Sequence, residues 1–195
     1  MRGLYEVTKR YGGRTVLDRF TLALPQAGGV CLFGPSGCGK TTALRLLCGL
    51  EAPDAGEVRG LSGLRIACQF QEDRLLPWYS VEKNLAIAAR ADLDAARMWL
   101  ARVGLADAGG KLPAELSGGM RRRAALARAL MFGGDLLVLD EPLKELDEAT
   151  RLRMLELIAA CMPGRTTVLV THSRDEAQAL GLPVIEMPTG TEATP

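Results

Sequence analysis

A glycine-rich segment lies between an apolar run and a helical pattern, and it restricts the possible folds more than any other feature. It consists of Gly34, Pro35, Ser36, Gly37, Cys38, Gly39, Lys40 and Thr41. The pattern G-x-x-x-x-G-K-[ST] is matched in the strand–loop–helix context that it requires. Glycines let such a loop curl so that successive backbone N–H groups point at an anion. The segment therefore predicts a phosphate-binding loop.

The side chains at the end of this loop suit a nucleoside triphosphate. We expect Lys40 to reach the β- and γ-phosphates and the Thr41 hydroxyl to coordinate Mg²⁺. Thr42 is predicted to donate to the α-phosphate, and the helix that follows adds the positive end of its dipole. ATP and Mg²⁺ are thus the predicted cofactors. Cys38 is needed only for its backbone N–H.

Apolar runs alternate with helical patterns along the chain. Because the runs are apolar throughout, they predict interior strands of a sheet covered on both faces. The predicted strands are 30–33, 66–70, 136–139, 166–170 and 184–185. The predicted helices are 41–48, 81–91, 94–102, 118–131, 149–161 and 175–180. This order predicts an α/β layered fold with a mostly parallel core sheet.

Two stretches depart from this alternation. Residues 1–24 indicate paired strands around a Gly12-Gly13 turn, and residues 49–63 are rich in turn formers, so we expect a small antiparallel β lobe at one edge. Residues 74–114 are rich in helical patterns without a strand, which predicts an inserted helical lobe. We expect a single domain over residues 1–195.

Composition disfavours several classes of function. The net charge of +1 gives no basic excess, so we expect no nucleic-acid partner, and the run Arg121-Arg122-Arg123 is predicted to be a solvated helix face. Five scattered cysteines and a single histidine argue against a zinc site. No segment has the roughly 20 apolar residues that span a bilayer, so we expect a soluble subunit that reaches a membrane through a partner.

Polar side chains follow two of the predicted interior strands. Asp140 and Glu141 follow the run 136–139, and His172 follows the run 166–170. Ligands of such sheets bind beyond the carboxyl ends of the strands. Asp140 suits a Mg²⁺ partner, and Glu141 suits a general base that polarises the attacking water. His172 is a candidate contact for the γ-phosphate or for the attacking water.

A second phosphate cradle is predicted where Leu116-Ser117-Gly118-Gly119-Met120 opens a helix. Ser117, Gly118 and Gly119 offer a hydroxyl and exposed N–H groups there. One nucleotide needs only one cradle. The second one is therefore expected to serve a nucleotide held by another subunit.

These motifs, in this order, resemble those of the ATPase subunits of ABC transporters over nearly the whole chain. The matching positions are Tyr11, residues 34–42, Gln71, residues 116–120, residues 136–141, Leu146-Asp147 and His172. The resemblance implies a P-loop NTPase with a RecA-like core. It also implies that Tyr11 stacks on adenine, that Gln71 contacts Mg²⁺ and senses the membrane partner, and that Glu141 is the catalytic glutamate.

The resemblance implies an assembly as well. Each ATP would lie between residues 34–42 of one subunit and residues 117–119 of the other, in a head-to-tail homodimer. Closure would drive a membrane permease between two states, and hydrolysis would reset it. The subunit would be peripheral, at the cytoplasmic face of the inner or plasma membrane, with a solute-binding protein as an indirect partner.

The stretch from Gln71 to Trp78 looks like that of bacterial importers of nitrate, taurine, alkanesulfonates and related small solutes. Leu75, Leu76 and Trp78 would then line the groove that receives the coupling helix of the permease. The alternative is that they are ordinary core residues at the start of the helical lobe.

Three positions depart from the family pattern. Met120 replaces the usual glutamine of the signature, where Ser117 and the backbone supply most contacts, so we expect function to survive. Lys144 and Glu145 stand where small residues are common. These charges are predicted to perturb the dimer seam or to form an ion pair across it.

Other functions stay open at this level. A P-loop phosphotransferase would share residues 34–41, but it has no need for residues 116–119. A non-transport ABC-type regulatory ATPase is the second alternative, and a regulator that closes on ATP without turnover is the third. Glu141 and His172 argue against the third.

Overall fold

The computed structural model describes residues 2–187. The strands are β1 Arg2–Tyr11, β2 Arg14–Leu24, β3 Gly28–Phe33, β4 Ala55–Arg59, β5 Ile66–Gln69, β6 Leu136–Asp140, β7 Thr166–Val170 and β8 Val184–Glu186. The α-helices are α1 Lys40–Leu47, α2 Val81–Ala89, α3 Leu93–Arg102, α4 Gly118–Phe132, α5 Glu148–Cys161 and α6 Arg174–Ala179. Short 3₁₀ turns occupy Ala106–Ala108 and Pro113–Glu115.

The core sheet has five strands in the order β5-β6-β7-β3-β8, and all four pairings are parallel. The predicted α/β fold with a parallel core is therefore confirmed. Strands β6 and β7 are buried at every residue, because helices cover both of their faces. That burial is why their sequences are apolar throughout.

Alternate residues of the central strands enter two separate hydrophobic cores. Leu137 and Leu139 pack on one face, with Leu126 of α4 and Ile158 of α5. On the other face, Val138 packs with α1 and with the antiparallel strands, in a second cluster. This alternation follows from the two-residue period of a strand. The core sheet thereby holds α1 on one face and α4 and α5 on the other.

The antiparallel lobe is confirmed, with the strand order β2-β1-β4. Tyr11 pairs with Arg14 across a two-residue turn, in which Gly12 and Gly13 have φ values of 54° and 83°. Tight hairpin turns of this kind need positive φ at both central residues, which glycine adopts without strain. Strand β4 lies within the predicted segment 49–63. The turn places Tyr11 at the end of its strand.

Residues 74–114 contain α2, α3 and the two 3₁₀ turns, and no strand. Leu85 of α2 and Leu100 of α3 are fully buried in the same cluster as Leu126 of α4. The helices of this segment therefore pack onto α4. Within residues 2–187, no helix is both long enough and apolar enough to cross a bilayer.

Candidate functional site

A cavity of about 400 Å³ opens at the carboxyl ends of β3, β6 and β7. It is lined by Tyr11, Val16, Ser36, Gly37, Gly39, Lys40, Thr41, Thr42, Gln71, Asp140, Glu141, Lys144 and His172. Residues that are up to 161 positions apart in the sequence thus share one cavity. Most of the predicted site residues are among them. Val16 and Lys144 are additions that the sequence analysis did not propose.

The glycine-rich loop forms one wall of the cavity and leads directly into α1. Gly39 caps this helix with a φ of 97°. A Cβ atom at Gly39 would lie 2.8 Å from the Leu17 side chain and 3.1 Å from the Val16 carbonyl oxygen. Only glycine fits this position without displacing β2, and the positive φ strains any other residue. The loop therefore lies against β2, and the N-terminus of α1 faces the cavity.

Lys40 is almost fully buried, and its ammonium group is held by the loop itself. Its Nζ atom donates to the Gly34 carbonyl at 2.7 Å and to the Pro35 carbonyl at 2.8 Å. Gly34, Pro35 and Cys38 do not line the cavity. The first two contribute instead by positioning Lys40.

Asp140 lies at the end of β6 and is buried. Its Oδ2 atom accepts a hydrogen bond from the Thr41 hydroxyl at 3.0 Å. Burial raises the pKa of Asp140, and the Thr41 hydrogen bond offsets part of that effect. This pair joins the phosphate-loop helix to the core sheet.

The donor set fits Mg²⁺. The Thr41 hydroxyl, the Asp140 carboxylate and the Gln71 side chain all offer the oxygen ligands that this ion prefers. Residues 2–187 contain no group of three or more His, Cys, Asp or Glu side chains that could hold a metal ion. Mg²⁺ is usually bound by one or two carboxylates together with waters and substrate phosphates, and Asp140 supplies one such carboxylate.

Glu141 follows β6 directly and has both carboxylate oxygens engaged. His172 Nε2 lies 2.6 Å from Oε1, and Lys144 Nζ lies 3.1 Å from Oε2. Burial alone raises the pKa of Glu141, but the contacts with Lys144 and His172 outweigh it, so the pKa is lowered. Glu141 is therefore an ionised carboxylate at neutral pH.

The loop that carries His172 is fixed by a buried pair that the sequence analysis missed. The Thr171 hydroxyl donates to Glu176 Oε2 at 2.5 Å, and the Ser173 N–H donates to the Thr171 oxygen at 3.1 Å. Glu176 is 7% exposed. A buried carboxylate at the start of α6 thus positions the histidine loop.

The second predicted cradle does not reach this cavity. Ser117 caps α4 by accepting from the Met120 N–H at 3.3 Å. Ser117 and Gly118 are exposed, and none of residues 117–119 lines the cavity. Their N–H groups at the start of α4 are thus open to a partner outside the chain.

The arginine run at the start of α4 is not a solvated face, and that prediction was wrong. Arg122 is 9% exposed. Its Nη1 atom donates to the Gln71 carbonyl at 2.7 Å, and its Nε atom lies 3.6 Å from the Asp73 carboxylate. Arg121 and Arg123 likewise donate to backbone carbonyls. Arg122 and Arg123 thereby join elements that are far apart in the sequence, whereas Arg121 binds the Leu116 carbonyl just before its own helix.

Arg128, nearly two turns further along α4, extends this connection. Its two terminal nitrogens donate to the Arg74 carbonyl at 2.7 Å and to the Asp73 carbonyl at 2.9 Å. Together with Arg122, it fastens the segment after β5 to α4. That segment carries Gln71 into the cavity.

A second, more apolar groove of about 340 Å³ lies between β5, α2 and α4. Leu76 and Ile87 line it, as do Arg128 and Phe132. Of the three residues predicted for such a groove, only Leu76 is part of its lining. Leu75 packs against the core instead, and Trp78 is 79% exposed beside it.

Asn84→Ala is expected to destabilise the protein by about 1–3 kcal/mol. Asn84 is 1% exposed and accepts from the Leu76 N–H at 2.6 Å. It also donates to the carbonyls of Leu76, Tyr79 and Ser80, each at 3.1 Å. Urea denaturation measures the change, with the exposed neighbour Lys83→Ala as the matched control. Equal midpoints for the two variants would contradict this role.

Comparison with known proteins gives a consistent result. A family described as ABC transporter matches residues 17–144. An aliphatic sulfonates import ATP-binding protein, SsuB, from Escherichia coli K12 is 46% identical over 188 residues, covering 91% of this chain and 73% of that protein. SsuB 1 from Burkholderia lata is 47% identical over 182 residues, covering 90% of this chain. The chain spans 57% of the length of that relative.

Solved structures agree in fold over almost the whole chain. The ATP-binding cassette MJ0796, in a dimeric post-hydrolysis state with ADP and phosphate, superimposes with a TM-score of 0.86 and 26% identity. The match covers 97% of this chain and 95% of that one. A second dimeric structure of the same bacterial ABC transporter cassette also has a TM-score of 0.86.

Proposed function

Because the chain belongs to the ABC transporter family, we propose that it binds and hydrolyses ATP to power a membrane transporter. One observation carries the proposal. A single cavity brings together a phosphate-binding loop, the buried Asp140, and a Glu141 carboxylate held between a lysine and a histidine. ATP hydrolysis needs these three parts within reach of one terminal phosphate.

ATP would bind with its phosphates on the loop and its base near Tyr11. The N-terminus of α1 supplies N–H groups and a positive dipole end, which favour an anion. Lys40 would exchange its two carbonyl acceptors for β- and γ-phosphate oxygens, which bind an ammonium group more strongly because they are charged. Tyr11 is 41% exposed at the rim of the cavity, so its ring is open for stacking on adenine.

Thr41, Asp140 and Gln71 are the residues that would hold Mg²⁺. When bound, the ion supplies positive charge to the β- and γ-phosphate oxygens. The Thr41–Asp140 hydrogen bond supports this assignment because it sets two oxygen ligands side by side before any ion binds.

Glu141 would act as the base in hydrolysis. A water oxygen bonds to the γ-phosphorus while the bond from that phosphorus to the bridging oxygen breaks, and the electron pair leaves with ADP. The water proton passes to Glu141. His172, held 2.6 Å from the same carboxylate, orients Glu141 and can donate to a γ-phosphate oxygen in turn.

We infer a head-to-tail homodimer for the active form. Ser117, Gly118 and Gly119 lie outside the cavity of their own chain, at the exposed N-terminus of α4 that Ser117 caps. In the dimer, each set would close over the ATP that is held by the partner subunit. The dimeric state of the similar cassette supports this arrangement.

The transporter is proposed to be a bacterial importer of a small solute such as an aliphatic sulfonate. The names of the most similar relatives support this class. The whole of residues 1–195 would form one cassette domain, with 74–114 as its helical insertion. It would bind the permease at the cytoplasmic face of the membrane through the exposed Leu76 and Trp78, while Leu75 packs against the core and supports them. A solute-binding protein would act indirectly.

Glu141→Gln protein is expected to shift from monomer to dimer on addition of Mg-ATP. Binding is kept while hydrolysis is slowed, so the closed dimer accumulates. Static light scattering with and without Mg-ATP measures the shift. Mg-ATP that binds without any change in molar mass would contradict the shared site.

The double variant Glu141→Gln/Ser117→Asp is the matched control for this experiment. Aspartate caps a helix as well as serine does, so α4 keeps its N-cap. Its carboxylate, however, would repel the phosphates of the partner's ATP. We expect this variant to bind Mg-ATP and to stay monomeric.

A further inference from the structure

Two lysines, Lys40 and Lys144, line the cavity. The proposed hydrolysis assigns Lys40 to the phosphates and leaves Lys144 without a role. It follows Glu141 in a tight turn, closed by a hydrogen bond from the Lys144 N–H to the Glu141 carbonyl at 3.3 Å. Leu143, within that turn, is 3% exposed and anchors it in the core. The turn returns the Lys144 side chain to the Glu141 carboxylate.

The contact with Lys144 is the only one that holds Glu141 Oε2 within residues 2–187. That oxygen is buried and has no aligned hydrogen-bond donor, yet the Lys144 ammonium group lies 3.1 Å away. The other oxygen, Oε1, faces His172. An unpaired carboxylate oxygen in a buried position costs free energy. The ion pair therefore keeps Oε2 directed at Lys144 and Oε1 directed at His172.

We propose that Lys144 is a positioning residue for Glu141, which it holds by Oε2 so that Oε1 is presented to the attacking water. The inference rests on the proposed ATP hydrolysis. It differs from the expectation of an ion pair across the dimer seam, because the partner of Lys144 lies in its own chain. The flexible glutamate side chain is then ordered before the nucleotide binds.

A fixed Oε1 can accept the proton of the attacking water while it still faces His172. Each carboxylate oxygen has two acceptor sites, so Oε1 can face His172 and still accept the proton of the water that attacks the γ-phosphorus. Without Lys144, the carboxylate is free to rotate about its side-chain torsions. Small errors in the placement of a reacting group cost large factors in rate.

The test compares Lys144→Met with Lys144→Arg in the full chain. Methionine keeps much of the apolar stem without the charge, and arginine keeps the charge. We expect kcat for Mg-ATP hydrolysis to fall at least about tenfold in Lys144→Met and to recover to within about threefold of wild type in Lys144→Arg. The dissociation constant for Mg-ATP is expected to stay within about twofold of wild type in both.

Lys83→Met is the matched control, because it makes the same change at an exposed position on α2, away from the cavity. It is expected to leave kcat unchanged. An unchanged or higher kcat in Lys144→Met would overturn the positioning role, and so would weaker ATP binding with the same kcat. A wild-type protein that binds Mg-ATP but releases no phosphate would instead overturn the proposed hydrolysis, and the role of Lys144 with it.

Discussion

Glu141→Gln is expected to reduce the rate of ATP hydrolysis by at least about 10²-fold while ATP still binds. The glutamine amide has nearly the same shape as the carboxylate, but it is a far weaker proton acceptor. It also loses the ion pair with Lys144, since an amide carries no charge. The hydrogen bonds that hold Lys40 and Thr41 go to Gly34, Pro35 and Asp140 and do not involve Glu141. Nucleotide affinity should therefore survive the change.

Single-turnover release of inorganic phosphate measures the chemical step directly, and calorimetry measures binding on the same sample. Glu156→Gln is the matched control, because it makes the same change at an exposed position on α5. Full turnover in Glu141→Gln would assign the base to another group. Phosphate that appears on an added metabolite rather than in water would favour the phosphotransferase alternative.

Lys40→Ala is expected to weaken ATP binding by about 1.5–3 kcal/mol, the usual value of a hydrogen bond to a charged group. This corresponds to a factor of roughly 10–150 in the dissociation constant. The change removes the ammonium group that faces the terminal phosphates. It also leaves the carbonyls of Gly34 and Pro35 without their donor, so the loop loses its internal support.

Isothermal titration with ATP and with AMP separates these two effects. Lys40 is assigned to the β- and γ-phosphates, so its loss should weaken ATP binding much more than AMP binding. Equal losses for both nucleotides would point to a collapsed loop. Unchanged ATP affinity would remove the segment 34–41 from the site. Lys111→Ala, at an exposed position in the helical lobe, is the control.

The core strands were predictable because their burial determines which residue types occur within each short segment. Strand β7 was predicted with the bounds that the structure has, 166–170, because a strand buried on both faces has to be apolar at every position. The phosphate loop was equally predictable, because its glycines and Lys40 interact with residues only a few positions away in the sequence. Both ends of α1 and the C-terminal end of α4 differ from the predictions by one residue.

Polar residues whose partners are distant in the sequence were not predictable in the same way. Arg122 was expected in solvent, yet it binds the Gln71 carbonyl 51 positions away. Asn84 lies in a predicted helix, and the sequence did not indicate that it would bind the backbone of residues 76–80. Periodicity detects apolar faces, whereas a buried polar side chain is explained only by the group that satisfies it. Lys144 attracted attention as a charge in an unusual place, but its partner depends on the turn geometry.

The arginines of α4 have a mechanical consequence. Arg122 and Arg128 hold the segment 71–74 by hydrogen bonds of 2.7 to 2.9 Å, each worth about 1.5–3 kcal/mol for a charged donor. The segment is therefore held firmly against α4. We therefore expect a displacement of the segment beside Leu76 to move α4 and, with it, the N-cap residue Ser117, because these hydrogen bonds leave little slack between the segment and the helix.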